Sequence, residues 1–261
     1  MIYVLRSELG KMSSIASTYW SAFAAVLVSV AIGVMVAAGM MAEWASASLA
    51  ERAQAESAFA PVSYSMFGVG FGLFAVLVFS AQNITSEYGT GQIRSTLAAV
   101  PNRTMLLTSK ALTVFLAGIV IGLVMNVASF VAGQFILSIH DLDTTITAPG
   151  VLVGIVRGAV AVGLAGVAAL AVGSLVRNTP AAIMIVFAVF YLPMFLAPMV
   201  PARVADNLDY LPSMLAVGAA APQSEVGPET VVAPLPSLGL MVAWAVVPLA
   251  IAVVVNERRD A

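Results

Sequence analysis

Six stretches of this chain run for the length of a membrane helix with almost no charged residue among them. A helix needs about 20 apolar residues to cross about 30 Å of hydrocarbon. Barrel strands would alternate polar and apolar residues, and these stretches do not. We therefore predict an all-α integral membrane protein with six transmembrane helices, at about residues 20–42, 61–83, 111–139, 151–176, 180–200 and 238–255.

The composition excludes a water-soluble domain of this length. Of 261 residues, 61% are hydrophobic and 9% are charged, whereas a soluble domain carries about a quarter charged residues. The chain has no cysteine, which excludes disulfides, thiolate metal sites and cysteine nucleophiles. We expect a single transmembrane domain over residues 1–261.

The basic residues predict the orientation. Cytoplasmic loops of membrane proteins are enriched in lysine and arginine. With the N-terminus inside, the outside loops hold only Arg52 and Arg203, and the cytoplasmic segments hold Arg6, Lys11, Arg94, Arg103, Lys110, Arg177, Arg258 and Arg259. Both termini are therefore expected in the cytoplasm. The heavy use of alanine, valine and glycine is typical of a GC-rich bacterial genome, so we expect a multi-pass protein of a bacterial cytoplasmic membrane.

One charged residue, Arg157, falls inside a predicted span. A charge within the bilayer is costly, and a long side chain lowers that cost by extending toward the interface. We expect Arg157 to reach outward to Asp141 and Asp143 and to be structural.

The motifs of common enzyme classes are missing. The only Gly-Lys pair is Gly10-Lys11, and Leu5 stands where a phosphate-binding loop requires glycine. His140 lies at a span end beside two aspartates, and such lone polar residues are mostly interfacial. We expect no catalytic residue, no metal site and no cofactor in this chain.

The segment over residues 84–110 interrupts the apolar sequence with a compact, basic pattern. Ile93, Leu97 and Val100 recur at helical spacing, which predicts a short helix with one apolar stripe. Gly89 and Gly91 allow a turn before this helix, and Pro101-Asn102 ends it, so the next helix begins near Thr104.

An apolar stripe flanked by Arg94 and Arg103 suits a groove on a cytoplasmic partner. The alternative is a basic loop that lies on anionic lipid headgroups.

Two further segments fit the membrane interface. Residues 4–16 form an interfacial helix with an apolar stripe, and Glu8 and Lys11 lie on its polar side. The segment over residues 201–237 starts with a stretch that is too apolar for a free loop, and Pro201 and Pro212 would interrupt a helix there. We expect this second segment to be a partly buried gate at the outer face.

Two aromatic stripes appear at helical spacing in the second and fifth predicted spans: Phe67, Phe71 and Phe74, then Phe187, Tyr191 and Met194. Ordinary helix packing explains such stripes on periodicity alone. A substrate pathway is the functional alternative, since aromatic residues and methionine line adaptable apolar slots.

The pattern over residues 84–110 resembles the first cytoplasmic loop of ABC-2 type permeases. The matching residues are Glu87, Gly91, Ile93, Arg94, Leu97, Val100, Pro101 and Arg103. The stretch LRSELGKMSS is similar to the interfacial helix of that family, with Glu8 and Lys11 as its acidic-basic pair. The stretch LDYLPSMLAV resembles its re-entrant extracellular helices, with Tyr210, Leu211 and Pro212 matching.

This resemblance implies a function. The loop would be a coupling helix that docks into a separate P-loop ATPase subunit, which binds ATP and Mg²⁺. Two permease protomers, expected as a homodimer, would assemble with two copies of the ATPase. Membrane lipid is the other expected partner, and no nucleic acid partner is expected. The expected function is export of a hydrophobic or amphiphilic substrate such as a drug, lipid or peptide. In that family the second and fifth spans face each other across the dimer axis, which favours the pathway interpretation of the two stripes.

Two other functions compete with this interpretation. A secondary transporter driven by an ion gradient is disfavoured, since the sequence shows no paired intramembrane carboxylates and no obviously broken helices. An intramembrane enzyme would need a constellation of nucleophile, acid or metal that the motifs do not supply.

Overall fold

The protein is a bundle of helices. A computed structural model describes residues 2–55, 59–196, 199, 201, 207–226 and 232–258, and all regular structure within these ranges is helical. The α-helices are α1 (Ile2–Ser14), α2 (Ala16–Ser46), α3 (Leu49–Ala55), α4 (Pro61–Met66), α5 (Val69–Gly89), α6 (Gln92–Ala99), α7 (Arg103–Leu137), α8 (Val151–Val176), α9 (Thr179–Phe190), α10 (Leu192–Leu196), α11 (Pro212–Ala220) and α12 (Pro234–Arg258).

Five helical segments of the described chain are long and apolar enough to cross a membrane. They are Ala16–Ser46, Pro61–Gly89, Arg103–His140, Val151–Val176 and Pro234–Arg258. Each contains one of the predicted spans, so the all-α class and a composition typical of a multi-pass membrane protein are confirmed.

The predicted span at 180–200 is not a continuous helix. Its first part, α9, has 12 residues, and the helix is interrupted at Tyr191 before the short α10 begins. Pro193 explains the break, because proline lacks an amide hydrogen and its ring clashes with the carbonyl four residues earlier. Residues 197–198 and 200 lie outside the described part, and a sixth span stays a prediction.

The second predicted span is also irregular. Between α4 and α5 the amides of Phe67 and Gly70 bond to carbonyls three residues back, at 3.4 and 3.3 Å, which marks a tightened turn. The expectation of unbroken helices is therefore wrong for the fifth predicted span, whereas the second is a helical segment with a tightened turn. At Gly68 the α5 backbone comes so close to α2 that an added Cβ would overlap the carbonyl oxygen of Ser29.

Small residues let the long helices approach closely around α8, the most enclosed of the five spans. A Cβ added at Gly118 of α7 would lie 2.7 Å from the Cα of Gly163. The same helix buries Gly122 against Ala159. Close approach of this kind is the usual means of helix association in lipid.

At one end of the bundle, called the α11 end, the segment before α12 folds back onto the helices. Helix α11 buries Pro212 and Leu215, while Leu211 is half-buried and Tyr210 stays largely exposed. The carbonyl of Tyr210 accepts a hydrogen bond from Trp244 of α12 at 3.2 Å. Residues 202–206 and 227–231 of the predicted gate segment lie outside the described part.

Arg157 holds α11 in place. Its Nε donates to the carbonyl of Ala219 at 3.1 Å, and its Nη2 donates to that of Ala221 at 2.8 Å. The expected pairing with Asp141 and Asp143 is therefore wrong. The last carbonyls of a helix lack internal partners and carry its negative dipole end, so the end of α11 offers hydrogen-bond acceptors to the guanidinium.

We predict that Arg157→Met loosens α11 specifically. Hydrogen bonds from a charged donor contribute about 1.5–3 kcal/mol each, and methionine keeps the apolar stem without the donors. Hydrogen exchange of the α11 amides should accelerate while α12 exchanges as before. Unchanged exchange in α11 would show that Arg157 does not hold this helix.

Candidate functional site

A cluster of four charged side chains lies at the opposite end of the bundle, beside α6; we call it the charge cluster. Its members are Glu8 and Lys11 of α1, Glu87 of α5 and Lys110 of α7. Lys110 Nζ lies 2.6 Å from Glu8 Oε2 and 2.8 Å from Glu87 Oε1. Lys11 Nζ lies 2.8 Å from Glu8 Oε1 and 3.1 Å from Glu87 Oε1. Both lysines thus bridge both carboxylates.

The charge cluster is buried and electrically balanced. The side chains of Lys110, Glu8 and Glu87 are 1%, 3% and 6% exposed, and that of Lys11 is 31% exposed. Removing one charge from such a group leaves another buried without a partner, which is far more costly than the net value of the intact pair. The cluster therefore joins three helices into one unit.

The two members of the charge cluster on α1, Glu8 and Lys11, stay ionised at neutral pH. Burial alone would raise the pKa of Glu8, but the charges of Lys110 and Lys11 outweigh it and hold the pKa below its ordinary value. Burial alone would lower the pKa of Lys11, but the two carboxylates raise it. The stabilisation from Glu8 is lost only as the pH falls through its lowered pKa, and that from Lys11 only as the pH rises through its raised pKa.

Helix α6 is positioned by the residues that the sequence singled out. Gly91 precedes it with a φ of 73°, a left-handed conformation that favours glycine. After α6 ends at Ala99, the side chain of Asn102 accepts a hydrogen bond from the amide of Met105 at 2.8 Å. This N-cap starts α7 at Arg103. The predicted turn, short helix and restart are all confirmed.

The apolar stripe of α6 lies partly against its own chain. Ile93 is 5% exposed, and Leu97 lines a small cavity together with Ile84 and Leu107 of the same chain. Val100 is half-buried. The expectation that the stripe faces a partner is therefore wrong for Ile93, which is buried in its own chain, whereas Leu97 and Val100 keep part of their surface exposed and their contact with a partner stays a prediction. The side of α6 left exposed carries Gln92, Arg94, Ser95, Ala98 and Ala99.

A second cluster of polar side chains lies beside α6 and connects α5, α7, α12 and the end of α8. The carbonyl of Asn256 in α12 accepts from Arg103 Nη1 at 3.0 Å, and its Oδ1 accepts from Arg177 Nη2 at 3.0 Å. The Arg177 guanidinium lies 4.9 Å from the ring centroid of Tyr88, a cation–π contact. Arg103, expected to contact a partner, is instead half-buried and bonded to α12.

Sequence reasoning missed part of this site. The sequence analysis treats Lys110 and Arg177 only as cytoplasmic basic residues and does not single out Asn256. One signal was present, since Glu87 follows the second predicted span and Lys110 directly precedes the third, which places both residues on the same side of the membrane. The polar-side assignment of Glu8 on α1 is also wrong, because its carboxylate faces the bundle.

The aromatic stripes meet within one chain. Phe74 contacts Phe187 and Tyr191, with ring centroids 5.8 and 5.6 Å apart. Tyr191 is buried and donates from its hydroxyl to the carbonyl of Gly70 at 2.7 Å. Ordinary helix packing accounts for these three rings, so they need no pathway to explain them.

The remaining stripe residues, Phe67, Phe71 and Met194, line a cavity of about 20 Å³. That space holds about one water molecule, which is far too little for a substrate. Phe67 is 39% exposed and Phe71 is half-buried. A pathway lining for these side chains stays a prediction.

A groove of about 460 Å³ runs between α1 and α6; we call it the α1/α6 groove. Tyr3 and Ser7 border it on the α1 side, and Ser95 and Ala99 border it on the α6 side. Tyr3 is fully open at 83% exposure. The groove lies directly over the charge cluster, since Glu8 and Lys11 form part of its floor.

No model of a known protein family matches this chain, and no curated protein matches it. The likeness of residues 84–110 to a permease loop is therefore an inference from the motif itself.

Proposed function

We propose that this chain is the membrane-spanning permease subunit of a bacterial ABC exporter. It would act as a homodimer with two copies of a separate P-loop ATPase that binds ATP and Mg²⁺. The observation that carries the proposal is the position of α6 beside the charge cluster, which joins the N-terminal helix to the ends of α5 and α7. The resemblance of residues 84–110 to the first cytoplasmic loop of ABC-2 type permeases is the reason for proposing a P-loop ATPase as the partner.

The cluster supports a mechanical role. Helix α6 packs through Ile93 onto the bundle, and α1, α5 and α7 share buried ion pairs. A displacement of α6 or α1 by a partner would therefore reach the two membrane helices directly, because breaking the buried pairs costs more than moving the helices together. Such a unit suits the transfer of a partner's motion into the membrane.

The α1/α6 groove and the exposed side of α6 form the docking surface in this proposal. The surface presents polar groups with Arg94 as an exposed cation, and Tyr3 as an exposed aromatic side chain. A partner that fits it has an acidic or neutral polar cleft with an apolar spot for the tyrosine.

Closure of the ATPase on ATP would shift the bundle between two arrangements, inward-open and outward-open. The ATPase can change their populations only by binding one arrangement more tightly than the other. The predicted orientation, with both termini and α6 in the cytoplasm, follows from the lysine and arginine distribution. Outward transport of a hydrophobic or amphiphilic substrate follows from the resemblance.

The docking surface predicts a charge-reversal effect. Arg94→Glu should reduce co-purification with the proposed P-loop ATPase partner by about tenfold or more, since a like charge facing an acidic cleft costs over about 1.4 kcal/mol. The thermal stability of the variant should match the wild type, because Arg94 is exposed.

Arg258→Glu is the matched control. This arginine is exposed at the same end of the bundle but lies on α12, outside the docking surface. It should leave co-purification unchanged. If Arg94→Glu retains as much ATPase as Arg258→Glu does, α6 is not the docking element.

A transporter driven by an ion gradient is the second candidate, and the irregular spans favour it. The break at Tyr191 and the turn at Gly68 are adjacent, since the tyrosine hydroxyl bonds to the carbonyl of Gly70. Interrupted helices at such places form the ion sites of many secondary transporters. In proteoliposomes with the ATPase, transport that needs ATP and survives ionophores supports the exporter, while the reverse supports the gradient-driven candidate.

A further inference from the structure

A cavity of about 200 Å³ lies at the α11 end of the bundle, between α4, the start of α5 and α11. We call it the α4/α11 cavity. An engineered apolar cavity of about 150 Å³ holds a benzene molecule. The α4/α11 cavity therefore has room for an aromatic ring with a short substituent.

Most of the described residues that line this cavity are apolar. The larger of these side chains are Val62, Met66, Val69, Val217, Val226 and Pro234. Val62, Met66 and Val69 are buried and form the floor. A floor of this kind favours an apolar ligand body, because removing apolar surface from water is the main favourable term in such pockets.

The polar side chains of the cavity lie nearer the surface of the bundle. Among the described lining residues they are Ser63 and Glu225. Both are half-buried, whereas the floor is buried. The cavity thus has a polar wall beside its opening and an apolar floor behind it, which is the complement of a small amphiphile.

The carboxylate of Glu225 is held in one orientation by three hydrogen bonds. Its Oε1 accepts from the amide of Val62 at 2.7 Å. Its Oε2 accepts from the amide and the hydroxyl of Ser63, at 2.8 and 2.6 Å. A group fixed in this way loses little further freedom when a ligand binds to it. Each carboxylate oxygen can accept two hydrogen bonds, so Oε1 retains the capacity for one more.

The charge of Glu225 has no cationic partner in the part of the chain that the structure describes. No lysine or arginine there lines the cavity or forms an ion pair with this carboxylate. The three hydrogen bonds offset part of the cost of desolvation, but they do not neutralise the charge. A cationic donor would form a charge-assisted hydrogen bond, about twice as strong as a neutral one. The polar wall therefore selects a positively charged group.

We propose that the α4/α11 cavity binds a small hydrophobic ammonium ion, which is an apolar ring or short chain that carries one protonated amine. The ammonium donates to Glu225 Oε1 at the polar wall, and the apolar body fills the floor against Val62, Met66 and Val69. The site does not depend on the proposed export function, because it is tested on the purified chain without an ATPase.

The test is a calorimetric titration of the purified full chain in detergent with benzylamine and with benzyl alcohol, against protein-free micelles as the blank. The two probes share the same ring, and only the amine is charged at neutral pH. Benzylamine should bind at least about tenfold more tightly. Equal binding of the two probes, or no binding of either, would overturn the proposal.

Glu225→Gln removes the charge and keeps the length of the side chain. It should weaken benzylamine binding by about tenfold and leave benzyl alcohol binding within about twofold, so that the preference disappears. A preference that survives in this variant would show that the carboxylate does not select the ligand.

Val226→Phe narrows the cavity from its half-buried side and leaves Glu225 intact. It keeps the test valid if Glu225→Gln fails to fold. Binding of both probes should weaken by about fivefold or more, because the added ring occupies their space. Val246→Phe is the matched control, since Val246 lies on the exposed side of α12 away from the cavity lining. Equal binding in the two variants would place the probes outside this cavity and overturn the proposal.

Discussion

Lys110→Met should destabilise the folded protein by about 3–5 kcal/mol, the usual cost of breaking a buried ion pair from one side. The lysine side chain is 1% exposed and bridges Glu8 and Glu87. Without it, two carboxylates lie in a buried site with Lys11 as the remaining cation. Thermal unfolding in detergent, followed by tryptophan fluorescence, measures the loss.

Lys11→Met is the matched control for this experiment. Lys11 contacts the same two carboxylates, but its side chain is 31% exposed, so water can solvate what it leaves behind. Its effect should be clearly smaller.

The double variant Glu87→Gln/Lys110→Met restores a balanced cluster with one cation and one anion. It should be less destabilised than the sum of its single variants, with a coupling of about 1–3 kcal/mol. If Lys110→Met is as stable as Lys11→Met, the charge cluster does not join the helices as described.

Gly33→Ala should lower the stability of the folded protein more than alanine at the other glycine of α2, Gly39. A Cβ at Gly33 would overlap the carbonyl oxygen of Ser65 in α4, and a backbone atom cannot move aside as a side chain can. Overpacking of this kind costs about 1–3 kcal/mol or more. We expect a lower unfolding temperature and a reduced yield of folded protein.

Gly39→Ala tests whether this effect belongs to the contact or to the helix. Gly39 lies in the same helix, and an added Cβ there meets nothing within 4 Å. It should keep stability or raise it by up to about 1 kcal/mol, because alanine forms helix more readily than glycine. Equal losses for the two variants would contradict the close approach of α2 and α4.

Much of the fold was predictable because it depends on local chemistry. The apolar windows predict five of the long helices, since a backbone in lipid must satisfy its hydrogen bonds internally. The turn at Gly91 and the cap at Asn102 follow from residue types with a conformational preference. Even the break after Phe190 had a local cause in Pro193, which sequence reasoning passed over.

The candidate site was predictable only in part. The sequence analysis singles out Glu8 and Lys11 in the interfacial helix and Glu87 in the loop over residues 84–110, as members of two different motifs. Their meeting with Lys110 depends on how α1 folds back against α5 and α7, and no periodicity carries that information. The prediction that the α6 stripe faces a partner was wrong at Ile93 for a similar reason. A stripe reveals that one side will be buried, but it does not reveal against what.

The sequence by itself determined the helical class, the membrane-length segments and the position of α6, because hydrophobic periodicity, glycine and proline act over a few residues. Only the tertiary structure decided which charges share a buried cluster, which carbonyls Arg157 caps and which side of α6 remains open. These outcomes depend on pairs such as Glu8 and Lys110, which are 102 residues apart in the chain. Electrostatic and packing energies act on distance in space, and that distance exists only once the helices have assembled.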